Sequence, residues 1–589
     1  MAFSYLRQEE LLRSWYQISS IYSLFDGSDA QGIAPHKKAR RQNTVGALHV
    51  IVTAQRQAQR ANIWGKFMFD FENTRHVADI TRVQAKVRPD AVAMTLHGKT
   101  STFAQLDEAA NRVANALIAM GVRPDDRIAV YGANSDRYME VFFGCVKARA
   151  TLVGVNARLA PTEVAYVLDD CQAKVVVVGS HFYGAAAQAL AHANVKPHLI
   201  ALNDGHDTWQ GYQDWKASAP ANDPNLVADG TDDVVQLYTS GTTGLPKGVQ
   251  ITDVNYMRFF DYGIGAQWAK YEAGDAVLIA MPMFHVAGIN SAILAIAQGA
   301  NAVILENVDP VEILRLIPAE KVKHAFFVPA VINILLQVNA KIPTDFSALE
   351  RVFYGASPIA EELLVQAQAV FGCSFTQLYG MTESLGAGTF LSPEDHVPAR
   401  GKLRSCGKAW PGFEIECRRD DGSACEVGEV GEIAMRSETI MKGYYNRPDA
   451  TTEAVRDGWL YTGDAGFFDV EGFLFIHDRV KDMIVTGGEN VYPAEVENAV
   501  YGHPSVADVA VVGVPDEKWG EAVKAIVVLK PDAEADALDI IAWTKARIAG
   551  YKVPKSVDFI SELPRNPSGK ILRRELREPY WAGHTRRVA

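Results

Sequence analysis

Short apolar runs alternate with amphipathic stretches over most of this chain. Residues 127–131 and 174–178 read as strands, and 138–148 and 184–193 as helices, each with hydrophobic positions at the spacing of its element. The alternation continues from Met68 to about residue 480 and predicts parallel-rich sheets covered by helices. Ligands bind such architectures at loops beyond the strand ends. The longest apolar stretch, 276–305, is interrupted by Pro282, His285, Asn290, Gln298 and Asn301, which reads as buried strand, helix and strand rather than a membrane span. After about residue 480 the pattern changes to strands at 506–514 and 522–529 and a helix at 536–549. The expected fold class is α/β, with a large N-terminal domain over 68–480 and a small mobile C-terminal α+β lid over 481–589.

Residues 1–67 stand apart. No acidic residue separates Asp29 from Asp70, and the run carries the basic cluster His36-Lys37-Lys38-Ala39-Arg40-Arg41. Three readings compete: a targeting or surface-binding arm, an ordered extension, and translated upstream sequence ahead of a start at Met68, the last being favoured. A membrane-peripheral role for the arm stays open, as does a homodimer.

Composition narrows the function classes. A chain of 589 residues exceeds one ordinary core, and 48% hydrophobic with 22% charged residues is a globular balance. A net charge of −12 argues against nucleic acid as the partner. The six cysteines, Cys145, Cys171, Cys373, Cys406, Cys417 and Cys425, form no CxxC pair, so neither zinc nor a disulfide framework is indicated and a reducing, cytoplasmic setting is expected.

The strongest single feature is Tyr238-Thr239-Ser240-Gly241-Thr242-Thr243-Gly244-Leu245-Pro246-Lys247-Gly248, between strand-like runs. Glycines let the backbone approach a ligand closely, the hydroxyls of Thr239, Ser240, Thr242 and Thr243 can donate hydrogen bonds, and Lys247 adds a point charge. That is a polyphosphate cradle. It is not a Walker loop, because Pro246 stands where that motif requires glycine. The loop resembles the signature of the adenylate-forming superfamily, which includes acyl-CoA synthetases, luciferases and peptide synthetase adenylation domains.

Further motifs follow in that superfamily's order: Tyr354-Gly355-Ala356-Ser357-Pro358, Leu378-Tyr379-Gly380-Met381-Thr382-Glu383, Tyr461-Thr462-Gly463-Asp464, Asp478-Arg479-Val480-Lys481-Asp482 and Asn566-Pro567-Ser568-Gly569-Lys570. The small residues Gly355, Ala356 and Ser357 offer a surface for an adenine ring that Tyr379 could cover. The resemblance implies ATP as co-substrate, with Asp464 and Arg479 on the ribose, Thr382 on the α-phosphate and Glu383 as the Mg²⁺ ligand. It also implies that Lys570 bridges the substrate carboxylate and the α-phosphate, that Lys481 is the hinge, and that Gly487 and Gly488 line the path of CoA after the lid rotates.

The acid is less legible. Met281-Pro282-Met283-Phe284-His285-Val286-Ala287-Gly288 resembles a segment beside the acyl pocket, where amino-acid-activating relatives carry aspartate at the position of His285. An uncharged acid is therefore expected, a medium- or long-chain fatty acid first. His285 reads equally as a gate between half-reactions and as a buried core histidine. The apolar runs 289–296 and 326–336 read as pocket wall or as core. Only 19 residues follow Lys570, which favours free CoA over a fused carrier. The alternatives are an aryl-CoA ligase of cinnamate or benzoate type, a fatty acyl-AMP ligase and, in a different class, a catalytically silent nucleotide-binding scaffold.

Overall fold

The computed structural model describes residues 72–203, 205–239, 245–264, 270–479, 482–486, 489–516, 518–565 and 571–582, without the side chains of 477–479, 489 and 490. The basic arm, the centre of the phosphate loop, Lys481, Gly487, Gly488 and Lys570 lie outside these residues.

Two helix-covered sheets build the body. One runs in the order Gly443–Tyr444, Lys247–Thr252, Asp233–Thr239, Thr151–Val155, Arg127–Tyr131, Val175–Val178, His198–Ala201 and Gln210–Gly211. Its centre is parallel, and the Asp233–Thr239 and Lys247–Thr252 pair is an antiparallel hairpin. Every residue of Arg127–Tyr131, Thr151–Val155 and Val175–Val178 is buried, as parallel strands covered on both faces require.

The second sheet has nine strands, parallel from Ser374–Gly380 through Arg351–Gly355, Val322–Phe327, Ala276–Ile279 and Asn301–Ile304 to Val92–Leu96. The stretch 276–305 folds as expected, with the helix Val286–Ala297 between two strands. The helix predicted at 138–148 spans Asp136–Lys147, begun by the Ser135 hydroxyl accepting from the Tyr138 amide.

One element departs from the expected pattern. Between residues 414 and 479 the chain forms a five-stranded antiparallel sheet, centred on Trp459–Phe468 flanked by Gly431–Arg436 and Leu474–Arg479. Its strands are interrupted by glycines and charges and so lack a continuous apolar signal. The C-terminal α+β part has the hairpin Val506–Asp516 and Gly520–Leu529, joined in parallel by Ser556–Phe559, with the helices Pro493–Tyr501 and Ala537–Lys545. Among the described residues no helix is long and apolar enough to cross a membrane.

A buried ion network braces the body. The Lys147 side chain is fully buried, its ammonium 2.6 Å from Asp107, 2.6 Å from Asn111 and 3.1 Å from Asp223. Arg82 also pairs with Asp223, at 2.7 Å. Burial alone would raise the Asp223 carboxyl, but the Arg82 guanidinium, the Asn225 amide and the Lys147 ammonium outweigh it and hold that group well below the usual carboxylate range. A carboxyl depressed on folding contributes stability that is present above its unfolded pKa and lost as pH falls toward the folded value. Lys147→Met, which takes the cation from Asp107 and leaves Asp223 with Arg82 as its cation, should cost about 3 kcal/mol at neutral pH in urea unfolding. The deficit should shrink as pH falls below about 4, where the Asp223 carboxyl protonates in the unfolded chain. A neutral-pH loss under about 1 kcal/mol would contradict the network's assigned role.

Candidate active site

The hairpin that presents the phosphate loop ends on the pair Thr239 and Lys247, so Lys247 leaves the sheet where the loop returns. Both flanks are tied to the helix Pro161–Asp170. The Tyr166 hydroxyl donates to the Pro246 carbonyl at 2.9 Å, and the Tyr238 hydroxyl donates to Asp170 at 2.7 Å. Arg447 donates to the same aspartate. Ser240, Gly241, Thr242, Thr243 and Gly244 complete the loop outside the described residues.

Gly355 and Tyr379 lie at the carboxyl ends of adjacent parallel strands, Gly355 in register with Leu378. A Cβ on Gly355 would lie 2.2 Å from the Leu378 carbonyl oxygen, so no other residue fits without moving the strand. Ala356 follows with φ +66°, a left-handed conformation rare for a residue with a side chain. Backbone strain of this kind turns the Ala356-Ser357 step out of the sheet at its ligand-facing end.

Beyond Tyr379 the chain reverses. A Cβ on Gly380 would lie 2.6 Å from the backbone of Gly386, and Leu385 and Gly386 both have positive φ. The single turn Thr382–Ser384 is held in this bend, with the Glu383 side chain buried in it. Glu383 is anchored twice: its carbonyl accepts from the Met441 amide at 2.8 Å, and its Oε1 accepts from the Tyr444 hydroxyl at 2.8 Å. The Lys247 ammonium lies 5.0 Å from the centre of the same Tyr444 ring, within cation–π range.

The antiparallel sheet delivers the next carboxylate. Asp464 Oδ2 accepts from the Tyr379 hydroxyl at 2.8 Å, and the Asp464 amide donates to Thr462 Oγ1 at 3.1 Å. Burial and the facing Asp464 charge hold the Tyr379 hydroxyl protonated well beyond its ordinary range. Arg479 pairs with Asp464 through the backbone.

His285 precedes the helix Val286–Ala297 and makes no side-chain cap bond with it. Its Nε2 is buried without a hydrogen-bond partner, and its ring lies 4.6 Å from that of Phe284. Burial, with a smaller contribution from the Arg158 charge, lowers its pKa to about 4. The helix touches the bend after Glu383, since Asn290 donates to the Leu385 carbonyl at 2.9 Å. Ile289, Ala292, Ile293 and Ile296 on this helix, and Phe327, Ile332 and Leu335 in the run 326–336, are fully buried in the two main cores.

The described residues thus bring two groups together, Lys247 with Glu383 about the Tyr444 ring and Tyr379 with Asp464. Lys247, Glu383 and Tyr379 lie at or just beyond strand ends, and Asp464 lies within the strand Trp459–Phe468. Tyr444, Tyr166 and Asp170 were not legible as site residues. Their only sequence signal is a Gly-Tyr-Tyr-Asn-Arg-Pro turn and an unremarkable helix end. As a donor set for a hard cation the site fits, because a phosphate-bridging Mg²⁺ takes one or two carboxylates and keeps water elsewhere. Among the described residues no group of three or more His, Cys, Asp and Glu offers an all-protein cage, and Glu383 is a carboxylate that such a cation could take.

Comparison with known proteins places the chain in a family. Residues 81–445 match the AMP-binding enzyme family, and residues 495–570 match the AMP-binding enzyme C-terminal domain. The chain is 38% identical over 512 residues to the fatty acid–[acyl-carrier-protein] ligase ScoC of Streptomyces coeruleorubidus, covering 86% of this chain and 97% of that one. It is 38% identical over 505 residues to the long-chain-fatty-acid–CoA ligase FadD13 of Mycobacterium tuberculosis, covering 85% and 96%. Among solved structures, the anthranilate CoA ligase AuaEII in complex with anthranoyl-AMP superposes with a TM-score of 0.82 at 28% identity, covering 86% of this chain and 98% of that one. The chain therefore belongs to the AMP-binding enzyme family and is an AMP-forming acid–thiol ligase.

Proposed function

We propose that this ligase activates a medium- or long-chain fatty acid and transfers it to CoA. The observation that carries the reading is the composition of the acyl-side element: from Val286 to Ala297 it bears no charged residue, and His285 before it is held neutral. A substrate ammonium would find no carboxylate there. Similarity to a fatty acid–carrier ligase and a long-chain fatty acid–CoA ligase supports the same substrate class.

In the first half-reaction the substrate carboxylate attacks the α-phosphorus of ATP and pyrophosphate leaves. The nucleophile is already ionised near neutral pH, so no general base is required. The chain's work is positioning and charge stabilisation. Gly355, Ala356, Ser357 and Tyr379 hold the adenine, Asp464 and Arg479 the ribose, and Thr382 the α-phosphate, with Gly380 permitting the bend. The phosphate loop from Thr239 through Gly244 and Lys247 bind the departing phosphates, and Lys570 spans the carboxylate and α-phosphate. Glu383 would hold Mg²⁺, which when bound would supply positive charge to the phosphates.

In the second half-reaction a thiol attacks the acyl-adenylate and AMP leaves. Residues 68–480 act as the body and 481–589 as the lid, turning about Lys481 so that Gly487 and Gly488 replace Lys570 at the site. His285, neutral across the physiological range, acts as a gate through its shape and its lone pair rather than through charge. A second reading, an aryl-CoA ligase, is favoured by the superposition on an anthranoyl-AMP complex and differs only in the occupant of the acyl pocket. Transfer to a separate carrier protein is favoured by the similarity to ScoC. No helix among the described residues crosses a membrane, and a cytoplasmic enzyme with reversible membrane contact through the basic arm fits a lipid substrate.

The purified protein incubated with ATP, Mg²⁺ and CoA against aliphatic acids of graded length, benzoate and cinnamate should yield acyl-CoA peaking on aliphatic chains, read by mass spectrometry. A maximum on the aromatic acids would replace the fatty acid reading, and acyl-AMP without thioester would remove CoA as acceptor. Independently, the imidazole of His285 followed by NMR should titrate at about 4 and stay neutral from there upward. A midpoint near the ordinary histidine value of about 6.5 would contradict its burial and the neutral gate.

A further inference from the structure

The segment from Met441 to Arg447 touches both sides of the site. The strand Gly443–Tyr444 pairs with Lys247–Thr252, placing Tyr444 opposite Val249 on the sheet that carries Lys247. The Tyr445 amide donates to the Gly248 carbonyl at 2.8 Å. The Tyr444 amide donates to Thr451 Oγ1 at 2.9 Å, and that hydroxyl donates to the Arg447 carbonyl. On the other side the Met441 amide holds the Glu383 carbonyl at 2.8 Å. A backbone fixed at this many points leaves the Tyr444 ring little freedom.

Two functional groups converge on that ring. The Lys247 ammonium sits 5.0 Å from its centre, and its hydroxyl donates to Glu383 Oε1 at 2.8 Å. The phosphate-loop cation comes from the eight-stranded sheet and the carboxylate from the bend between the strands Ser374–Gly380 and Gly388–Leu391 of the nine-stranded one. We propose that Tyr444 is a positioning residue for adenylation, its ring placing the Lys247 ammonium and its hydroxyl fixing the Glu383 carboxylate. The two charges then keep one separation before ATP arrives, and the site does not reorganise as pyrophosphate leaves. Occupying one carboxylate oxygen with the tyrosine hydroxyl, and the cation's near face with the ring, keeps the opposite charges apart.

The proposal rests on the reading of Lys247 and Glu383 given above, and the test separates the two. ATP–pyrophosphate exchange with saturating acid reads adenylation, and thioester formation from supplied acyl-adenylate and CoA reads the second half-reaction. Tyr444→Phe should lower exchange and raise the Mg²⁺ concentration needed for half-maximal exchange, each by about 10-fold, the worth of a hydrogen bond to a charged group. Tyr444→Leu, which also removes the ring, should lower exchange by about 100-fold. Both variants should form thioester from supplied adenylate within about twofold of wild type. Calorimetric titration of ATP with and without Mg²⁺ gives a readout independent of turnover, and Tyr444→Phe should lose most of the tightening that Mg²⁺ confers on wild type.

Wild-type exchange and Mg²⁺ dependence in Tyr444→Phe, with Lys247→Ala and Glu383→Gln impaired, would overturn the proposal alone. Equal loss in both half-reactions would make Tyr444 a merely structural residue. Full exchange in Lys247→Ala or Glu383→Gln would overturn the reading of the site and the proposal with it.

Discussion

Close backbone approach at two glycines sets the rest of the site. Gly355 brings its strand against the Leu378 carbonyl, and Gly380 lets the chain double back within 2.6 Å of Gly386. A side chain at either position would push apart the strand ends that bear Ala356, Tyr379 and Glu383. Glu383 can be buried there because the bend supplies hydrogen bonds to its backbone and Tyr444 supplies one to its carboxylate. The ligand-facing edge is thus built from backbone fit first and side-chain chemistry second.

The charges are spread over three sheets and joined by tyrosines. Tyr379 reaches Asp464 on the antiparallel sheet, Tyr444 reaches Glu383 from the eight-stranded sheet, and Tyr238 reaches Asp170 below the phosphate loop. A phenol suits this use because its ring fills space while its hydroxyl donates to a carboxylate, and the carboxylate in turn keeps the phenol protonated. Burial and the Glu383 charge raise the Tyr444 hydroxyl well above its ordinary pKa, as burial and Asp464 do for Tyr379. Neither phenol loses its proton in the working range of a ligase, so the contacts hold as pH varies.

Much of this was legible in the sequence, for identifiable reasons. The strands 127–131 and 174–178 announced themselves because parallel strands buried on both faces are continuously apolar. Thr239, Lys247, Tyr379, Glu383 and Asp464 stood out because they lie in short motifs that resemble the superfamily's, and the structure places Tyr379 against Asp464 and both Lys247 and Glu383 against Tyr444. Tyr444 was not, since its role depends on Lys247 and Glu383, each distant in sequence, and Gly-Tyr-Tyr-Asn-Arg-Pro reads locally as a turn. The antiparallel sheet at 414–479 was missed because glycines and charges interrupt its strands and leave no clear period of apolar positions. The orphaned Nε2 of His285 depends on packing that no local pattern encodes.

The most direct test of the central claim is a crystal structure with a non-hydrolysable fatty acyl sulfamoyl-adenosine. The adenine should lie between the Gly355-Ala356-Ser357 backbone and Tyr379, the ribose hydroxyls on Asp464, and the sulfamate toward Thr382 and Lys570, with the alkyl chain leading past His285. An adenosine bound away from the ends of the strands Arg351–Gly355 and Ser374–Gly380 would contradict the site, and an alkyl chain left in solvent would contradict the fatty acid as substrate.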